Sequence, residues 1–498
     1  MVGRSRIKQI VRVSNRCMND WPSSEISPEE IPAGEIPLCE FSFSSDKPRF
    51  RGVFAPGIAA LIWLLLTNCG LAANAPLASE AKGRLTREQV IEQTMRPFSG
   101  VSHPGVDVST LNGKVMAGYQ GWFSAPNDGA GLGWKHWSGR RGFQPGSCSI
   151  DLWPDVSDLD ADERYPTAFQ NADGQPAEVF SSYNPKTVIR HFQWMKDYGL
   201  DGVFVQRFIT QTFSPAALRH VNVVLNSCRE GANLNGRAYA VMYDLSGLGR
   251  GQIHRVIEDW KLLVDRMHIT SDPAYLHHAE KPVIALWGFG FDDRREYTLD
   301  EGLELVNFLK NDPRYGNCTV MLGVPAHWRT LDRDAVHDNQ LHDLILKADI
   351  VSPWTVGRYR SPAQAVEYAE KRMAPDLRWC RDHQKEFMPV VFPGFSWHNM
   401  KPRSPLNEIP RRKGDFLWSQ FVQAKKQGAS MVYVAMFDEV DEGTAIFKCT
   451  NHPPDGLSQF ATFEGLPSDF YLRMTGRAAR IFHGQDSLVE DYQTLLAR

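Results

Sequence analysis

The sequence predicts an α/β fold, a (β/α)8 TIM barrel with long βα loops. From residue 112 onward, short apolar runs alternate with amphipathic helical stretches, and eight such runs can be counted. Alternation of this kind indicates parallel strands joined by helices. Several runs are apolar almost throughout, which is typical of strands covered on both faces. An open, doubly wound sheet is the alternative.

The composition is that of an ordinary globular protein. Hydrophobic residues make up 42% and charged residues 23%, which excludes a disordered chain, a collagen and a multi-span membrane protein. The net charge of −3 gives no basic excess, so we expect no nucleic-acid partner. The eight cysteines show neither a C-x-x-C pair nor zinc-ligand spacing, so we predict no metal and no other cofactor.

The N-terminal segment predicts export. A polar leader, residues 1–52, ends in a basic flank, and the apolar run 53–66 is too short to span a bilayer comfortably. Small residues follow up to Ala75, so residues 53–75 match a secretory signal peptide, with a buried helix as the alternative. We therefore expect a periplasmic or extracellular protein that is not inserted in the membrane after cleavage. We also expect a monomer.

No linker or internal repeat interrupts the remainder, so we divide it into an N-terminal extension (76–111), one barrel domain (112–483) and a C-terminal tail (484–498). Residues 122–182 form a long insertion after the first strand. The eight predicted strands are residues 115–120, 202–206, 238–243, 283–287, 319–324, 349–352, 388–392 and 431–437.

Helices are predicted between the strands, at residues 185–198, 253–267, 299–310, 362–380 and 416–427. Pro185 in the first turn and Gly199 at the end bound the first of these helices. Asp415 is expected to be the N-cap of the last one, and Gly428 is expected to end it.

In barrels of this kind, chemistry gathers at the carboxyl ends of the strands. Here most strand ends carry aromatic side chains together with carboxylate or amide groups. Aromatic faces stack on sugar rings, so the pattern favours a groove that binds an oligo- or polysaccharide. The predicted substrate-binding residues are Tyr119, Gln120, Trp122, Trp153, Asp155, Gln206, Arg207, Tyr243, Asp244, Trp287, Trp354, Phe395, Trp397 and Asp438.

The acidic cluster 438–442 after the last strand is the candidate catalytic site. Glycoside hydrolysis needs two carboxyl groups, and Glu439 and Glu442 are three residues apart where strand turns to loop. That spacing suits the separation of about 5–5.5 Å found in retaining enzymes. Two alternatives are a calcium loop, although the ligand order of an EF-hand is missing, and a solvated turn. The apolar approach 433–437 favours burial over a solvated turn.

The motif 431–445, MVYVAMFDEVDEGTA, resembles the last-strand motif of glycoside hydrolase families 71 and 99. It is most similar to the bacterial members often labelled xylosidase/arabinosidase. The segments 117–122, 243–247, 352–354 and 393–397 fit the same group, so the resemblance extends over residues 112–483.

The resemblance implies a (β/α)8 barrel that needs no metal and cleaves α-linked glycans with retention, often in endo fashion. The family 99 pattern implies that Glu439 helps the 2-hydroxyl of the sugar to attack the anomeric carbon, while Glu442 is the acid/base. Family 99 enzymes act on mannosides, but their Trp-His between the glutamates is replaced here by Val440-Asp441. Other substrates therefore stay open: an α-1,3-glucan, with a larger share for Asp438, or a xyloside or arabinoside. A secreted glycan-binding barrel without activity is the non-enzymatic alternative.

We predict that the mature chain begins between about residues 72 and 80, because signal peptidase cleaves after small residues that follow a short apolar core. Mass spectrometry of secreted protein measures this directly. An intact N-terminus at residue 1 in the secreted material would contradict the prediction.

Overall fold

Eight parallel strands form the centre of the molecule in the computed structural model, which describes residues 85–492. They are β1 Val115–Tyr119, β2 Gly202–Phe208, β3 Ala238–Asp244, β4 Lys281–Trp287, β5 Thr319–Pro325, β6 Ile350–Trp354, β7 in the two pieces Glu386–Phe387 and Val390–Val391, and β8 Val432–Val434. The predicted barrel is confirmed, and all eight predicted strands are present. The predicted leader and signal peptide lie outside the described residues.

The strands close into a ring, which rules out the open doubly wound sheet. Each strand pairs in parallel with the next, and β8 pairs with β1 through Val432 opposite Val115. At β7 the pairing passes from one piece to the other. The first piece pairs with β6, and the second pairs with β8 through Val390 opposite Tyr433.

A helix follows every strand and covers the ring from outside. The helices are α1 Arg87–Thr94, α2 Pro185–Tyr198, α3 Pro215–Asn235, α4 His254–Met267, α5 Leu299–Asn311, α6 Gln340–Lys347, α7 Pro362–Tyr368, α8 Ala374–Asp382, α9 Asp415–Lys426 and α10 Phe470–Phe482. The predicted helix 362–380 is α7 and α8 joined by a π turn. Within residues 85–492, no helix is long and apolar enough to cross a membrane.

Three of the helices that follow strands, α3, α6 and α10, were not predicted. The prediction of Asp415 as an N-cap was wrong: the cap position is Gly414, and no side chain makes a capping hydrogen bond there. Asp415 instead lies in the first turn, where its negative charge interacts favourably with the positive end of the helix dipole.

The insertion after β1 contains a two-stranded antiparallel hairpin, Tyr165–Gln170 and Pro176–Val179. The insertion is joined to the loop after β8, because the backbone N–H groups of Asp151 and Leu152 both donate to the carbonyl of Val440. The carboxylate of Asp151 is buried and accepts hydrogen bonds from the β7 loop, one of them from Ser396 Oγ at 2.5 Å. Loops after β1, β7 and β8 are thus bound together above the barrel.

Three predicted substrate-binding residues point outward, into the layer between strands and helices. Arg207 donates from Nε and Nη2 to Asp259 on α4 at 2.6 and 2.7 Å, and the Tyr243 hydroxyl donates to the same carboxylate at 2.6 Å. Tyr119 is hydrogen-bonded to His191 Nδ1 on α2 at 2.9 Å. All three side chains are buried, so their prediction as sugar ligands was wrong. Side chains alternate along a strand, and these residues lie on its outer face.

We predict that Asp259→Ala lowers the free energy of unfolding by about 3–5 kcal/mol, because it leaves the buried guanidinium of Arg207 without its anion. Urea unfolding of the variant and the parent measures the loss.

A control is available on the same helix. Asp265 pairs with Arg314 at the surface, so Asp265→Ala should lower the free energy of unfolding by about 0–1 kcal/mol. Equal losses for the two variants would contradict a structural role for the buried ion pair.

Candidate active site

Asp438, the first acid after β8, connects the end of that strand to the end of β1 by hydrogen bonds. Its side chain is completely buried, and its two oxygens accept from the backbone N–H groups of Gln120 at 2.7 Å and Gly121 at 2.9 Å. Burial raises the pKa of Asp438 to about 7, while these two hydrogen bonds oppose the rise. Since both oxygens face the backbone, the prediction of Asp438 as a sugar ligand was wrong.

Glu439 is held from two sides. Oε1 accepts from Gln120 Nε2 and Oε2 accepts from Thr444 Oγ1, each at 2.5 Å. The side chain is buried, and burial, together with the nearby charge of Glu442, raises its pKa well above the usual range. The carboxyl group therefore has a fixed orientation, and Gln120 lies where the sequence predicted a site residue.

Glu442 is partly exposed at the mouth of the barrel. Burial, and after it the neighbouring carboxyl group of Asp441, raises the pKa of Glu442 to about 7, while the ammonium group of Lys401 opposes the rise. Two glutamates that repel one another in a site with little water do not both ionise readily. The two carboxyl groups therefore share a proton near neutral pH. Burial favours the protonated form of each, while the hydrogen bonds from Gln120 and Thr444 favour the ionised form of Glu439.

The loop that carries the two glutamates is fixed by Arg411. Its Nη2 donates to the carbonyls of Gly443 at 2.9 Å and Ala445 at 2.6 Å, and its guanidinium lies 4.7 and 4.6 Å from the ring centres of Phe463 and Tyr471. Arg411 is 2% exposed. Sequence analysis did not identify it, because its partners lie more than thirty residues further along the chain.

Two polar side chains, Gln206 and Tyr433, form a hydrogen bond inside the barrel. Gln206 Nε2 donates to the hydroxyl of Tyr433 on β8 at 2.8 Å, so Gln206 faces inward as a site residue would. Burial raises the pKa of Tyr433 well above its usual range, and the neighbouring carboxyl group of Glu439 adds to the rise. Gly118 on β1 leaves room for Tyr433, since a Cβ there would lie 2.1 Å from the Tyr433 hydroxyl. Tyr433 was not among the predicted site residues.

Aromatic side chains stand around the mouth at the ends of β1, β4, β6 and β7. Trp287 and Trp354 meet edge to face with ring centres 5.5 Å apart, and Trp354 also contacts Tyr433. Phe395 and Trp397 pack at 5.0 Å, and Lys401 Nζ lies 3.6 Å from the centre of the Trp397 ring.

At the end of β1, Trp122 stacks on His136 of the insertion, with ring centres 4.0 Å apart. Asp244 at the end of β3 is buried and accepts from the N–H of Ser246 at 2.8 Å. Asp244 follows the outward-facing Tyr243 on the strand, so the alternation of side chains turns it inward.

Two predicted site residues of the insertion, Trp153 and Asp155, contact other protein groups. Trp153 is buried against Phe143 and Phe169, and its Nε1 donates to the carbonyl of Glu178 at 3.1 Å. Asp155 accepts from the N–H of Ser157 at 3.0 Å and stabilises a turn. The prediction of Trp153 as a sugar ligand was wrong, because its ring is buried among Phe143, Phe169 and Phe460. Asp155 is partly exposed, and its role stays a prediction.

The acids after β8 are not arranged as a calcium loop. Asp438 and Glu439 use their carboxylate oxygens on protein donors, as described above. In the described part of the chain, three acidic ligand atoms converge at a different place, Asp160, Asp162 and Glu163 on the insertion. Lys186 and Arg190 form ion pairs with this group.

The fold is similar to solved structures of a glycoside hydrolase. One is the GH99 endo-alpha-mannosidase from Bacteroides thetaiotaomicron, with a TM-score of 0.56 and 15% identity over 76% of this chain and 100% of that chain. Another is the structure of that enzyme in complex with bis-tris-propane, with a TM-score of 0.55 and 16% identity over 75% and 98% of the two chains. No family model and no curated protein matches the chain. The similarity confirms the fold that the motif resemblance implied.

Proposed function

We propose that the protein is a retaining glycoside hydrolase that cleaves α-linked glycans with Glu439 and Glu442. The observation that carries the proposal is the pair itself: one carboxyl group fixed by Gln120 and Thr444, the other partly open at the mouth, both at the carboxyl end of β8. Active sites of (β/α)8 barrels lie at this end. The similarity in fold to an endo-alpha-mannosidase supports the proposal.

Glu442 is the general acid in this proposal. In the reactive form the proton shared by the pair is on Glu442 and Glu439 is ionised, so Glu442 can give this proton to the glycosidic oxygen as the bond to the anomeric carbon breaks. Its partial exposure lets a leaving group reach it, and later lets water approach. In the second half of the reaction the same carboxylate takes a proton from that water.

Glu439 is the base. Gln120 and Thr444 hold its carboxylate in one orientation, so it can accept the proton of the sugar's 2-hydroxyl while that oxygen bonds to the anomeric carbon. The glycosidic bond breaks at the same time and its oxygen receives the proton of Glu442. Water then opens the three-membered ring with return of both protons, and the sum of the steps is hydrolysis with retention.

We further propose an exported enzyme that acts within mannan-like or related polysaccharides. Aromatic side chains at four strand ends offer faces on which sugars can stack, and the N-terminal sequence predicts export. Val440 and Asp441 replace the family's Trp-His, and α-1,3-glucans, xylosides and arabinosides therefore belong in the same screen. Purified protein incubated with a panel of α-linked polysaccharides, followed by sizing of the products, tests substrate and endo action together.

We predict that Glu442→Gln lowers turnover of a natural glycan by about 10²–10⁴-fold, because it removes the proton donor. An activated aryl glycoside needs little protonation, so its bond-breaking step should fall much less. Glu439→Gln should impair both substrates alike, since it acts on bond formation. Single-turnover and steady-state rates measure the difference.

Glu304→Gln, at an exposed position of α5, is the matched control and should leave both rates unchanged. Equal losses on both substrates for both active-site variants would contradict the division of roles. Binding of glycans by the parent without any turnover would favour the non-enzymatic alternative.

The pKa of about 7 at Glu442 predicts an alkaline limit to activity. As the pH rises above about 7 the acid loses its proton, so kcat/KM should fall by up to about tenfold for each further pH unit. A pH profile of kcat/KM on the natural glycan measures this decrease at alkaline pH. The decrease should be absent in Glu442→Gln. Activity that still rises up to pH 9 would refute Glu442 as the acid.

A further inference from the structure

His136, on the insertion after β1, lies between an aromatic ring and the catalytic loop. Its imidazole stacks on Trp122 with the ring planes 4° apart, and its Nδ1 lies 3.4 Å from Oδ2 of Asp441. Asp441 stands between the two glutamates in the sequence and is 2% exposed. The ring is therefore fixed in plane and in rotation by two contacts from different loops.

The two side chains form a neutral pair. Burial lowers the pKa of His136 well below its usual value and raises that of Asp441 to about 8. Near neutral pH the carboxyl group of Asp441 thus holds a proton and donates it to Nδ1 of a neutral imidazole. The remaining hydrogen of the ring is then on Nε2, so this nitrogen is a donor.

Nε2 of His136 has no partner among residues 85–492, and the side chain is 22% exposed. The backbone of His136 is also unusual, with φ of +62°, a region that residues other than glycine rarely adopt. Such backbone positions concentrate at ligand sites, where the surrounding structure holds them. Ser149 Oγ donates to the His136 carbonyl at 2.5 Å and fixes this conformation.

We propose that His136 is a substrate-binding residue whose Nε2–H donates to a sugar oxygen beside Glu442, and that Asp441 is the positioning residue that fixes its tautomer. The proposal rests on the function proposed above. It gives the insertion after β1 a direct part in recognition and gives the change from the family's His to Asp441 a physical role: the acid orients a histidine supplied by another loop.

Affinity separates this role from catalysis. Calorimetry on the Glu442→Gln background, with an α-linked manno-oligosaccharide that the parent hydrolyses, measures binding without turnover. His136→Phe keeps the stack on Trp122 but removes the donor, so we expect the Kd to rise about tenfold. His383→Phe is the matched control, since His383 stacks on Trp379 at 3.9 Å on the exposed end of α8, and it should leave the Kd unchanged.

Two variants at position 441 test the tautomer. Asn and Leu both replace the carboxyl group of Asp441 and have similar size, but only Asn can donate to Nδ1. We expect Asp441→Asn to bind within about twofold of the background and Asp441→Leu to match His136→Phe. Thermal unfolding shows whether each variant is folded. If His136→Phe does not fold, the comparison of Asp441→Asn with Asp441→Leu tests the proposal by itself.

Unchanged affinity in His136→Phe, or equal affinity in the two variants at 441, would overturn the role of His136 while the activity of the parent still supports the proposed function. A parent that neither binds nor cleaves any α-linked glycan would overturn the proposed function and this inference with it.

Discussion

The site depends on how the buried carboxyl group of Asp438 is satisfied. A buried acid without hydrogen bonds is strongly unfavourable, and here the donors are the backbone N–H groups of Gln120 and Gly121. These contacts bind the end of β8 to the end of β1, the two strands that close the barrel. Because Gln120 also donates from its side chain to Glu439, the same junction orients the carboxylate that we propose to be the base.

Charged groups from other loops complete this arrangement through contacts within the protein. Arg411 holds the carbonyls of the loop after the glutamates, and Asp151 joins the insertion to the β7 loop. Four acids within five residues repel one another, and their pKa values rise as a result of burial and this repulsion. Acids with strongly shifted pKa values that the surrounding structure holds in place are typical of active sites.

The strands and the position of the acidic loop 438–442 could be predicted from sequence because continuous apolar runs and a cluster of acids are local signals. The direction of each side chain at a strand end could not be predicted, because an error of one residue in the register of the strand turns every side chain to the opposite face. Gln206 and Asp244 face the interior, whereas Arg207 and Tyr243 beside them face α4. Contacts such as that of Arg411 with Gly443 join distant loops, and spacing along the chain carries no signal for them.

If Glu439 and Glu442 act as proposed, the anomeric carbon undergoes two displacements in one catalytic cycle. Proton NMR of the first-formed product, recorded before mutarotation, tests it most directly. The first-formed product should keep the α configuration of the substrate, because two successive displacements at the anomeric carbon restore the original configuration. An initial β product would contradict the assignment of the pair.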